Sequence, residues 1–480
     1  MDMFWSKLHH AAFDGSMRLT QALLSGRSVD IDSRTEDLGF TPIALAAQEG
    51  HYGVVRMLLK NGARQSVRTG GGCTALIMSA IHGHDRVAKL LIDSGAEVDA
   101  SDSNGVTSVY SAALKGHPKV VKVLIEAGAD VNIPASDGCM PLHPSSKDGH
   151  LAVVKLLVEA GARLGAKSSE GGTAMHMAAD QGHCGVVEVL LRGGANPDCR
   201  MPRGQTALFE AAFAGHVDIV KVLLRAKASP ALPVSRPDGG TGVALDVAAQ
   251  DGHSGVVSEL LRLGIAACGG TSRGEGALRL AAQNQHLVVM AMLTDAGVVD
   301  TGSALSHATD GGQEASVKFL LQQEWATAGE YVNYRNKYGL TPLLLSVWSA
   351  SPRIARLLLD AGANETLTCR DYSRGGKHFE TPLAAAIRDL ANKTHRGQRA
   401  TEEQLHRLGA IRRLLVRVEA VRAISWLWAS DTSCTPPASE EAGGGQPAEA
   451  STALRVPVLW RRRRVRHSFA PPLIRHSNKP

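Results

Sequence analysis

A Gly-His dipeptide returns every 33 residues through the first half of the chain, at Gly50-His51, Gly83-His84, Gly116-His117, Gly149-His150, Gly182-His183 and Gly215-His216. The beat slips by four before Gly252-His253 and regains 33 at Gln285-His286. A self-similarity of this length predicts stacked supersecondary units, not one globular core. Each unit of such a stack touches mainly its neighbours. Length alone would argue for about three domains, but the repeat overrides that prior.

One unit shows how the chain should fold locally. Thr41 can cap a helix through its hydroxyl, and Pro42 suits the first helical position, where its missing N–H costs nothing. Ala46 and Ala47 allow close approach of a neighbouring helix, and Gly50 can take the left-handed conformation that ends it. A second apolar helix follows through Val54, Val55, Leu58 and Leu59, closed by Gly62-Ala63. Asp, Asn, Ser and Gly then favour a tight, hairpin-like turn before the next Thr.

Gly39 to Ala63, Gly171 to Ala195 and Gly339 to Ala363 carry this pattern most fully, and it resembles the ankyrin repeat family. Aligned on the Thr position, the units start at Thr41, Thr74, Thr107, Met140, Thr173, Thr206, Val243, Gly276, Ser303, Thr341 and Thr381, behind a degenerate leading unit. The resemblance covers about residues 5–425 and implies an all-α solenoid of eleven to twelve repeats with short hairpin-like loops, elongated and curved. Composition agrees. With 50 glycines, 44% apolar and only 4% aromatic residues, the chain suits thin layers packed through small side chains.

The departures suggest an organisation. Residues 1–34 read as a degenerate capping repeat and 35–228 as regular repeats. Residues 229–240, with Pro230, Pro233 and Pro237, read as a Pro-rich elbow, hinged or rigid. Looser repeats follow over 241–390. In the fourth aligned unit Pro144 should fall at the fourth helical position and weaken that repeat. Residues 391–429 read as an insertion and a C-terminal capping helix over 405–428, whose interspersed arginines and Trp426 and Trp428 also fit a basic amphipathic target or membrane-surface helix. Residues 430–480 read as a disordered linker and basic tail.

Net charge is +6, yet the last thirty residues carry eight basic side chains and no acid, which leaves residues 1–450 at −2. Any nucleic-acid or nuclear-import argument therefore rests on Arg461, Arg462, Arg463, Arg464 and Arg466, a run similar to an import signal. Few aromatics argue against a single-strand stacking platform. No run of 18 apolar residues predicts a membrane span, the N-terminus lacks a signal-peptide pattern, and seven scattered cysteines without a Cys-x-x-Cys pair suit a reducing compartment.

Nothing nominates an enzyme, a cofactor or a metal. The histidines of the Gly-His beat form a row along the stack instead of converging, and His143 and His176 occupy the structural His position of the family pattern. Cys184 beside His183 does not face it on a helix start. Residues 269–276 lack the Gly-Lys-Ser/Thr ending of a phosphate loop.

What the resemblance implies is binding, through a concave groove of loop tips and first helices. The residues left free by the fold should lie one, three and four before the Thr position and four, seven and eight after it. In the chain these include Asp37, Gln48, Glu49, His82, Lys115, Asp148, Asp180, Arg203, Glu210, Phe213, Tyr338 and Trp348. Arg203, Phe213, Tyr338 and Trp348 are the expected anchors, since aromatic and Arg side chains dominate binding hot spots. The leading expectation is a monomeric, cytoplasmic scaffold or adaptor for one or more proteins. The alternative is a nuclear regulator that uses its Arg-rich tail.

Overall fold

The computed structural model describes residues 5–26, 29–235, 240–264, 274–327, 329–349 and 351–364, with 367, 369–370, 379–380, 410–411 and 414 beyond them. The expected capping helix over 405–428, the tail and the repeat starting at Thr381 lie outside these, save for those few positions. Within them the chain forms eleven successive helix pairs, from Lys7–Phe13 with Met17–Leu24 to Pro342–Trp348 with Pro352–Asp360. First helices pack on first helices and second on second, each pair against the next. The result is a helical repeat solenoid.

The local signals act as their chemistry requires. Thr41, Thr74, Thr107, Thr206 and Thr341 each accept a backbone N–H three residues on, at 3.3–3.4 Å. Such a cap contributes about 1 kcal/mol. In the second helices the Val-Val-x-x-Leu stripe goes inward: Val54, Val55 and Leu58, then Val120, Val121 and Leu124, and their counterparts are shut off from solvent. Burial of each such side chain stabilises by about 1.5–3 kcal/mol. Alanine pairs such as Ala46-Ala47 and Ala211-Ala212 sit in the same continuous core.

The Gly-His beat turns out to be an interlock between repeats. His84 donates its Nε2–H to the Gln48 carbonyl at 2.8 Å, and His117, His150, His183, His216 and His286 each reach the carbonyl 36 residues earlier at 2.9–3.2 Å. His51 and His253 make the same bond to Phe13 and Phe213. Glycine is required twice here. Gly50 to Gly252 adopt φ between +71° and +85°, and a Cβ on any of them would lie 2.4–2.8 Å from the imidazole of the next repeat. Gln285 is the exception, with φ +61°, and there the next repeat presents Gln313 instead of a histidine.

A second set of bonds ties the loops. Asp32, Asp99, Asn132, Asp198 and Asn333 each accept from a backbone N–H of the following loop, at 2.7–3.0 Å. His9, His143 and His176 tie loops in another way. Their Nδ1 accepts a backbone N–H from Ser6, Met140 and Thr173, and their Nε2–H donates to carbonyls of neighbouring loops.

Irregular spacings find specific accommodations. The Pro-rich stretch 229–240 lengthens one hairpin, in which Val234 and Ser235 pair antiparallel with Gly242 and Thr241. The helices on either side, Ala207–Ala214 and Ala244–Gln250, remain packed together. The 27-residue step to Ser303 has no hairpin; Asp300 instead accepts from the N–H groups of Ala304 and Leu305 and from the Tyr331 hydroxyl at 3.0–3.1 Å. The following 38-residue step adds the short turns Glu324–Thr327 and Gly329–Val332, which set Trp325 edge-on to Tyr331 with ring centres 4.9 Å apart. Pro144 differs from expectation. The helix begins only at Leu142, so this proline stands third in Leu142–Lys147, within the first turn, where no intrahelical N–H bond is lost.

Candidate protein-binding surface

Loop tips are held in a row by backbone bonds from one hairpin to the next. Gly70 N–H donates to the Leu38 carbonyl, Ser103 to Gly71, Ser136 to Asn104, Ser169 to Asp137 and Ser235 to Arg203, at 2.7–3.2 Å. Pro202 occupies the donor position opposite Glu170, and having no N–H it omits that rung. Ser103 and Ser136 add hydroxyl bonds to the same carbonyls. Because these rungs are backbone bonds, open to any residue except proline, no residue type in the sequence announces the ladder.

Of the anticipated surface, Asp37, Arg203 and Tyr338 lie on loop tips, and the other residues lie in or at the ends of first helices. Asp37, His82, Lys115, Asp148 and Arg203 are exposed, while Gln48, Glu49, Asp180, Glu210 and Phe213 are half-buried. Tyr338 and Trp348, from a loop tip and the end of the first helix of one repeat, are each 47% exposed. Lys337 lies 5.0 Å from the Tyr338 ring centre, a cation–π contact. Phe213 packs in part against the core. One register expectation needs correction. The fourth residue after Thr is buried in most repeats, as Leu45, Met78, Ser111 and Val247 are, and so is not left free for a partner.

Glu210 shares that fourth position. Burial, and the nearby Asp180 carboxylate, push its carboxyl up to about 7. Its charge is therefore held in a poorly solvated setting within the first helix Ala207–Ala214.

The histidines and cysteines do not converge on chemistry. His183 spends its Nε2–H on the Lys147 carbonyl, and burial raises the pKa of Cys184 and of Cys73. The Cys139 thiol is pushed up to about 12, first by burial and then by Asp137. Such thiols are poor nucleophiles. Among the described residues no group of three or more His, Cys, Asp or Glu side chains could hold a metal ion, and no helix is long and apolar enough to cross a membrane.

Paired helices, projecting hairpins and nearest-neighbour packing define a repeat scaffold, a class in which function resides on the surface. The family model for ankyrin repeats (3 copies) matches in overlapping segments over residues 3–269 and again over 278–369. The chain belongs to the ankyrin repeat family. Comparison with curated proteins returns no match. Ankyrin repeats generally mediate protein–protein interaction.

Proposed function

We propose that the chain is a non-enzymatic scaffold or adaptor that holds partner proteins against the face formed by its hairpin tips and first helices. One observation carries this reading: the stacking leaves Tyr338 and Trp348, two large aromatic side chains of one repeat, half-exposed on that face. Burying such rings in a partner's pocket would supply the kind of anchor that dominates interfaces. Arg203 and Phe213 would act as a second anchor pair several repeats away. A contact of about 800 Å² on this side would span only a few repeats, so the two pairs suit separate partners, and a monomeric cytoplasmic protein fits the reading.

Affinity capture from cell extract, identified by mass spectrometry, tests it with Tyr338→Ala, Trp348→Ala and Arg203→Ala beside the unaltered chain. A partner set that loses members with each substitution supports the surface. An identical set from all four proteins would sink it. The alternative of a nuclear regulator rests on Arg461 to Arg466. Deleting residues 452–480 tests that idea separately: unchanged localisation together with unchanged, salt-insensitive nucleic-acid affinity would remove it.

A further inference from the structure

We propose that the solenoid carries an internal breakpoint, formed by the two helix pairs Ala244–Gln250 with Ser254–Leu261 and Glu275–Gln283 with Leu287–Asp295. These open together while the repeats on both sides stay folded. Three independent features coincide there. First, the helix caps are missing. Val243 stands at a Thr position and offers no hydroxyl; Asp246 takes up the Val243 N–H instead, at 3.1 Å. Gly274 precedes Glu275–Gln283, also without a side-chain cap. Second, the repeats on either side are reinforced. Thr206 caps Ala207–Ala214, and beyond the pair Asp300 bonds Ala304, Leu305 and Tyr331.

Third, backbone strain falls at this pair. Gln285, φ +61°, lies inside it between the helices of the second pair, while Lys227, φ +64°, ends the preceding pair just after Val217–Arg225; they are the two non-glycine residues with positive φ among the described residues. Their counterparts in other repeats are glycines, such as Gly194 and Gly252. A side chain in this region is disfavoured.

In a one-dimensional stack, a unit's population of open states follows its intrinsic stability and its two interfaces. The apolar core runs through the weak pair without a gap, since Val256, Val257, Leu260, Val289, Met290 and Leu293 are all fully buried. The break is therefore a minor state, reached by local opening, and not a static kink. It divides the surface into a part bearing Arg203 and Phe213 and a part bearing Tyr338 and Trp348. This placement differs from a hinge at the prolines, where the lengthened hairpin keeps its rung to Arg203.

Native-state hydrogen exchange on the full chain, read by mass spectrometry, tests the proposal. Two absent caps and the left-handed Gln285 correspond to roughly a hundredfold more frequent opening. Amides in Ser254–Leu261 and Leu287–Asp295 should then exchange about that much faster than those in Cys184–Arg192 and in Glu314–Leu321. The double variant Val243→Thr, Gln285→Gly should slow the first two by at least about tenfold and leave Cys184–Arg192 unchanged. Three outcomes overturn the breakpoint: even protection along the stack, faster exchange in Glu314–Leu321 than in Ser254–Leu261, or no response to the double variant. None of them bears on which face binds a partner, so this idea and the scaffold reading can fail separately.

Discussion

The exception at Gln285 offers a sharp test of the Gly-His interlock. At seven successive junctions, Gly50 to Gly252, a Cβ would stand 2.4–2.8 Å from the next repeat's imidazole. Gln285 does have a Cβ, and the residue facing it is Gln313, whose side-chain amide it bonds. The two glutamines thus replace glycine and histidine as a matched pair. Gln313→His alone should drive a ring against the Gln285 Cβ and cost about 1–3 kcal/mol through overpacking. Gln285→Gly alone relieves a left-handed side chain, worth about 1 kcal/mol, and loses one exposed amide bond worth somewhat less; it should be near neutral.

In the double variant the ring fits, and its Nε2–H can reach the Gln283 carbonyl, the counterpart of the Gln250 carbonyl that His286 uses. That bond adds about 1 kcal/mol. The two substitutions should therefore couple favourably by about 2–3 kcal/mol, far above the additivity expected of independent sites. Urea denaturation of the four proteins, followed by circular dichroism and fitted to a nearest-neighbour model, measures the coupling. A value within about 0.5 kcal/mol of zero would refute the claim that ring-to-glycine contact constrains this position.

Gly149→Ala meets both penalties of the interlock, φ +75° and a Cβ 2.4 Å from His183 Nδ1, and should destabilise by about 2–4 kcal/mol. Gly161→Ala has φ +82° but open space around the Cβ, so about 1 kcal/mol is expected; equal losses in urea titrations would contradict the steric account. Burial lowers the pKa of His143 and His176, whose Nδ1 must stay unprotonated to accept a backbone N–H. The unfolded chain then takes up protons that the folded one refuses, so stability should fall as pH drops below about 6.5. His176→Gln should flatten that dependence between pH 7.5 and 5, and an unaltered slope would count against it. Glu210 behaves oppositely. Its pKa is raised to about 7, so the folded state is penalised as pH rises from the ordinary carboxylate range through 7. Glu210→Gln should then gain up to about 3 kcal/mol relative to the native chain at pH 8 and almost nothing at pH 5; equal urea midpoints at pH 8 would be the contrary result.

Family and repeat register were legible because one physical requirement, a left-handed glycine beneath the next imidazole, recurs at a fixed interval and cannot drift. The same periodic logic misjudged positions where one side chain substitutes for another at a distance. Asp300 stands outside the Thr register, yet it caps the following helix and holds Tyr331, a partner 31 residues on; no local pattern announces a cap supplied from two residues upstream of a glycine. Pro144 looks disruptive only when the helix is counted from Pro141, whereas His143 takes the Met140 N–H and the helix starts one residue later, at Leu142. Binding residues are harder still. Stacking constrains Leu45 and Val247 but not Trp348, so register can say which side chains are released from the core. What those released side chains recognise is decided by a partner's shape and charge, which leave no periodic trace in this chain.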